Sequence, residues 1–213
     1  MLSAVTVSGG APLSTNAMRL PALEVDSSSG WMRGVKRLDS PNCDARPAGV
    51  DPDLIVVHGI SLPPGAYGGP WIDRLFQNDL PADEHPYFAE IQGLRVSTHL
   101  LVRRDGLLTQ YVSFKDRAWH AGQSQFEGRT ACNDFSIGVE LEGTDTEPYA
   151  DVQYPVLANV VAALCQAYAS LSPQRVVGHS DIAPGRKTDP GPAFDWLRAR
   201  RLIALAVARS SAG

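Results

Sequence analysis

Two short runs of β-branched residues each deliver a histidine, and together they constrain this chain more than any other feature. Leu54-Ile55-Val56-Val57-His58 lies between Pro52 and Gly59, and Arg175-Val176-Val177-Gly178-His179 opens into a Pro- and Gly-rich stretch running from Ser180 to Pro192. Apolar runs this short, with such punctuation, have the composition of buried strands. Each strand is expected to exit on its histidine. With 213 residues, 44% of them apolar, there is enough material for a core, and one domain is the default.

The rest of the pattern predicts an α/β domain around those strands. Val96 to Val102 and Leu107 to Val112 flank Asp105-Gly106, a strong hairpin signal. From Phe135 to Glu142, apolar Phe135, Ile137, Val139 and Leu141 alternate with Ser136, Gly138, Glu140 and Glu142. That period of two turns Glu140 away from the apolar face. Leu157, Val160, Val161 and Leu164 recur at helical spacing and predict a helix from Tyr154 to about Ser170, with a closing helix over Ala193 to Ala208. Residues 59 to 95 read as a long loop with a short helix near Trp71 to Phe76, and a loop of that length is usually functional. Residues 1–30 read as a flexible leader, 31–205 as the folded domain and 206–213 as a C-terminal tail.

Composition excludes several classes. A formal net charge of -4 carries no basic footprint for nucleic acid. Cys43, Cys132 and Cys165 are too few and too widely spaced for a disulfide framework or a thiolate metal site, which points to a reducing compartment. The first twenty residues lack a basic start and an apolar run, so no export signal is read there. Nowhere do about 18 consecutive apolar residues occur, so no spanning helix is expected.

Chemistry concentrates at the strand-end histidines. Ten residues past His179, Asp189 lies in a loop stiffened by Pro184 and Pro190. Two histidines and a carboxylate make a catalytic type of metal set, open at one tetrahedral position. The blander alternative is that each histidine is a hydrogen-bonded structural residue. His99 and His120 compete as ligands, His85 lies in the Pro-rich loop, and no His-Glu-x-x-His pair decides the matter.

The stretches VVHGISLPPG from Val56, GGPWIDRLF from Gly68, LRVSTHLLVRRDG from Leu94, RAWHAG from Arg117, CNDFSIGVELEGTD from Cys132 and GHSDIAPGRKTDPGPAFDW from Gly178 closely resemble the AmpD-type anhydro-N-acetylmuramyl-L-alanine amidases. The resemblance runs in order from about Trp31 to about Arg201. It implies an amidase and peptidoglycan-recognition-like fold: a single α/β domain with a central mixed β-sheet flanked by helices. It also implies that His58, His179 and Asp189 bind one catalytic Zn2+, with Glu140 and Lys187 as catalytic partners. His99, His120 and Asp181 become supporting residues. Arg95 and Trp119 become candidates for holding the substrate's carboxylates and sugar. The implied substrate is a small muropeptide, cut between anhydro-muramic acid and L-alanine during cytoplasmic cell-wall recycling, which would lower the muropeptides that induce β-lactamase. No nucleic acid, membrane or obligate protein partner is implied. Two positions depart from the family. Gly59 stands where Asn is common and Ala131 where Arg is frequent, so peptide binding is where this chain is expected to differ.

Only three of the 19 basic residues are lysines, yet one of them, Lys187, lies two residues before Asp189. A compact ammonium suits a crowded oxyanion site better than a guanidinium.

Overall fold

The structure is a computed structural model that describes residues 23–211. In chain order, a small hairpin of β1 (Val25–Asp26) and β2 (Trp31–Met32) precedes β3 (Lys36–Arg37) and β4 (Cys43–Ala45). The strand β5 (Leu54–Ile60) is followed by helices α1 (Trp71–Phe76) and α2 (Pro86–Glu90). Next come β6 (Leu100–Val102), β7 (Leu108–Gln110), β8 (Asp116–Ala118), β9 (Gln125–Phe126) and β10 (Arg129–Thr130). The chain closes with β11 (Ser136–Glu142), α3 (Gln153–Ala167), β12 (Val176–Gly178), α4 (His179–Ile182) and α5 (Trp196–Ser210).

Six strands form the central sheet in the order β12-β5-β11-β6-β7-β3. The sheet is mixed: β12, β5, β11 and β6 are parallel, β6 and β7 form the antiparallel hairpin, and β3 joins the edge parallel to β7. The Asp-Gly turn pairs Val102 with Leu108, and Gly106 takes the positive φ of 86° that this turn demands.

Period-two alternation sorts the two faces. Ile55, Val57, Ile137, Val139 and Leu141 pack with Leu157, Val160, Val161 and Leu164 of α3, and α5 lies along α3 behind them. Leu54 and Val56 point the other way, to a smaller cluster with Ala121, Cys132, Phe135 and Ile182. At about 25 cal/mol per Å² of apolar surface removed from water, the large face dominates stability.

Several boundaries differ from the sequence expectation, each for a local reason. The strand carrying His58 does not exit there but continues to Ile60, because β11 goes on pairing with it through Glu142. The other histidine run stops at Gly178, where the Asp181 carboxylate accepts the Gly178 N–H at 2.7 Å and turns the chain into α4. Helix α2 was not anticipated; five residues carry too little periodicity, and it is started by Pro86 and by His85 Nδ1 accepting the Tyr87 N–H at 3.1 Å. Helix α5 begins later than expected, at the Asp195 cap, and runs past 205 because Ala206 is buried in the core. Of the expected leader, residues 1–22 lie outside the described residues. Its last part forms the β1–β2 hairpin, where Asp26 accepts from Ser28 and Ser29 and Val25 enters the core.

Candidate metal centre

The register of two parallel strands makes the site. β5 and β11 place His58 directly beside Glu140, both on the face turned away from α3. From the next strand over, β12 hands the chain to α4, whose first residue is His179. Asp189 arrives from the loop that follows. The ligating atoms of His58, His179 and Asp189 all lie within 4.8 Å of one another, the one such group of three or more acids, histidines or cysteines found among the described residues.

The close distances are tighter still. His58 Nδ1 is 3.0 Å from His179 Nδ1 and 3.2 Å from Asp189 Oδ2, and His179 Nδ1 is 3.1 Å from the same oxygen. Zn–N and Zn–O bonds near 2.05 Å imply tetrahedron edges of about 3.3 Å, so three such edges suit one small cation. His179 Nε2 stands 3.2 Å from the Ala121 carbonyl, which can only accept, so the proton sits on Nε2 and Nδ1 offers a lone pair. The donor set therefore fits zinc, with two imidazole nitrogens, one carboxylate oxygen and no thiolate.

Burial controls the charges here. It pushes His58 down to about 4, with the neighbouring Asp189 opposing and His179 and Lys187 adding to the fall. Burial alone would raise Asp189, yet the close approach of the His179 and His58 rings to its Oδ2 holds its carboxyl far below the usual range. A ring lone pair facing an anionic oxygen is what a divalent cation requires. Glu140 moves the opposite way: burial, then the charge of Asp189, raises it well above its ordinary value, with Lys187 opposing. Its Oε2 is buried with no hydrogen-bond partner, which leaves a carboxylate oxygen free to meet a bound group beside the three candidate ligands.

The other residues named from sequence fall in different places. Lys187 is exposed, so the expected crowding around its ammonium is absent, although its charge reaches both His58 and Glu140. His99 is not a ligand: Nδ1 accepts the Gly138 N–H at 3.0 Å and Nε2 lies 3.1 Å from the Asp116 carbonyl, so both nitrogens are occupied. His120 touches the group without joining it, its Nδ1 2.9 Å from His58 Nε2. Trp119 is half-buried, with its indole N–H on Asp44 at 3.0 Å. Arg95 is exposed and lines a cleft of ≈ 260 Å³ with Leu75, Asn78 and Ile91, to which none of the three candidate ligands contributes. A larger cleft of ≈ 600 Å³ is lined by Gly122 to Gln125, Ala131, Ile182 to Pro184 and Arg186. It begins one residue past Ala121, whose carbonyl holds His179.

Tyr149 carried no local signal in the sequence. A Cβ on Gly59 would stand 2.1 Å from the Tyr149 hydroxyl, and one on Gly143 2.3 Å from the ring. Both glycines clear space for it. The hydroxyl donates to the Pro190 carbonyl at 3.0 Å and so pins the loop directly after Asp189. The departure at Gly59 thus has a structural partner in this chain.

His58, His179 and Asp189 thus meet beside an unpartnered carboxylate at one end of the sheet, and comparison with known proteins gives the class. The N-acetylmuramoyl-L-alanine amidase family pattern matches residues 48–192, and the chain belongs to that family. Within it the likeness is to AmpD-type enzymes. The 1,6-anhydro-N-acetylmuramyl-L-alanine amidase AmpD of Escherichia coli (strain K12) is 59% identical over 174 residues, which is 82% of this chain and 94% of that protein. A crystal structure of a selenomethionine AmpD derivative superposes with a TM-score of 0.80 at 56% identity, covering 82% of this chain and 97% of that one. A complex of the Escherichia coli amidase AmiD with anhydro-N-acetylmuramic acid-L-Ala-D-gamma-Glu-L-Lys matches with a TM-score of 0.52 at 26% identity, over 85% of this chain and 65% of that one.

Proposed function

We propose that this chain is a zinc-dependent amidase. Its reaction is hydrolysis of the bond between anhydro-N-acetylmuramic acid and L-alanine of the stem peptide in cytoplasmic muropeptides, as a step of cell-wall recycling. The observation that carries the reading is the convergence of His58, His179 and Asp189 beside the unpartnered Glu140 carboxylate. The AmpD likeness supports the substrate. Three free thiols fit a reducing compartment, and no helix among the described residues is long and apolar enough to cross a membrane.

When bound, zinc supplies Lewis acidity toward the scissile carbonyl and the attacking water. Glu140 does the proton work. Its raised proton affinity lets it take a proton from water as the new C–O bond forms. It then returns that proton to the alanine nitrogen as the C–N bond breaks. Lys187 directs positive charge at the developing oxyanion. Trp119 and Arg95 are assigned to the sugar and to carboxylates of the peptide, and the ≈ 600 Å³ cleft passing Ala131 is the groove with room for an extended peptide.

Product analysis of purified protein with anhydro-muropeptide, with intact sacculi, and with chelator present or absent tests this. Release of free stem peptide from the anhydro-muropeptide, abolished by chelator and restored by zinc, is expected. Cleavage of sacculi alone, or binding without cleavage, contradicts it.

A further inference from the structure

The imidazole of His58 has a second nitrogen, and its partners dictate the state of the first. His58 Nε2 lies 2.9 Å from His120 Nδ1, His120 Nε2 lies 3.2 Å from Ser136 Oγ, and Ser136 Oγ lies 2.6 Å from the Cys132 carbonyl oxygen. The far end of this chain can only accept. Ser136 has a single hydroxyl proton, and at that distance it is committed to Cys132. Ser136 Oγ must then accept from His120 Nε2–H. A neutral His120 is left with a lone pair on Nδ1, which obliges His58 Nε2 to be the donor. The one proton of neutral His58 is thereby spent, and its Nδ1 faces His179 and Asp189 as a bare lone pair.

The surroundings are built for this arrangement. His58, His120 and Ser136 are all buried, so water is not at hand to reverse a link. A Cβ on Gly138 would stand 2.5 Å from His120 Cγ, so the missing side chain there is what admits the ring. The His58 and His120 ring centres are 5.0 Å apart with the facing nitrogens 2.9 Å apart, so both nitrogens lie near the line joining the rings and an N–H on one meets the in-plane lone pair of the other.

We propose that His120 and Ser136 are positioning residues that lock His58 in its Nε2-protonated tautomer, so that the Nδ1 lone pair points at the cation position before any ion arrives. The inference rests on reading His58, His179 and Asp189 as a cation site. Ala121 does the same for His179 through its carbonyl, so both rings are set without a tautomer switch on binding.

The test uses the full chain, 15N-labelled on histidine, with zinc as the probe. Two-bond proton–nitrogen correlation spectra read each ring's tautomer, and competition against a chromophoric chelator reads affinity. In the wild type, His58 should carry its proton on Nε2 both with zinc and after zinc removal. His120→Phe keeps a ring in the slot but removes the acceptor. It should weaken zinc binding by on the order of 10–100-fold and let zinc-free His58 populate the Nδ1-protonated form. His120→Asn returns an acceptor near the Nδ1 position and should recover most of the affinity. If His120→Phe does not fold, Ser136→Ala carries the test: with the terminal acceptor gone, His58 should show mixed tautomers. A wild-type His58 protonated on Nδ1, or His120→Phe and Ser136→Ala variants with unchanged tautomer and affinity, overturns the proposal. Failure of the underlying cation site looks different, because His58→Ala and Asp189→Ala would then bind zinc as tightly as wild type.

Discussion

Glu140 and Lys187 are proposed for one reaction but do not share an environment. Burial and the charge of Asp189 lift Glu140 above its ordinary 4.5, so this group favours the folded chain below that pH and loses its advantage as pH rises toward the folded value. Glu140→Gln cannot titrate. In zinc-free protein its melting temperature should therefore gain on wild type as pH climbs from about 4.5 through neutral, while turnover falls on the order of a hundredfold or more with zinc retained. A melting gap that is flat with pH, or activity near wild type, contradicts the assignment. Lys187 is exposed, so replacing it should leave the fold alone. An interaction made with the oxyanion predicts that Lys187→Ala lowers kcat and kcat/KM together. A rise in KM with kcat unchanged would instead mean that Lys187 holds a substrate carboxylate.

At the scale of elements, the parallel pairing of β5 with β11 sets the site, and a buried polar network holds the long loop beside it. Glu142 accepts from Gly68 N–H at 2.6 Å and Arg104 N–H at 3.1 Å, and pairs with Arg103, which also donates to Gly69 and to Asp73 of α1. Asp73 in turn takes the Tyr111 hydroxyl and Lys36. Glu142→Ala leaves Arg103 paired with Asp73 but takes the acceptor from the Arg104 and Gly68 N–H groups, so it should cost about 1–3 kcal/mol, read as a melting temperature lowered by roughly 2–4 °C per kcal/mol. A loss within 1 °C would show that the network is solvated. The sequence already turned Glu140 and Glu142 to one face, because period two is local. It could not separate the carboxylate proposed for catalysis from a structural one. That difference comes from Arg103 and Gly68, brought in from residues far along the chain. Tyr149 escaped notice for the same reason, since its seat is cut by Gly59 and Gly143 and its partner is Pro190.

For the whole molecule, the strands that lead to His58 and His179 were legible because β-branched runs between Pro and Gly are a short-range signal. Their adjacency was not. Sheet order puts β12 and β11 on either side of β5 although they lie far from it in the chain, with α3 and α5 packed over one face. The N-terminal boundary is also a tertiary matter. Deleting residues 1–22 should leave melting and turnover unchanged, whereas deletion through 30 removes the strand that pairs with Met32 and should destabilise the domain. Equal behaviour of the two truncations would mean that the β1–β2 hairpin contributes nothing. The central claim is that one zinc is held by His58, His179 and Asp189, and elemental analysis of purified wild type beside Asp189→Ala tests it most directly. One zinc per wild-type chain and a large loss in the variant is the predicted result; full zinc in Asp189→Ala, or none in active wild type, would contradict it.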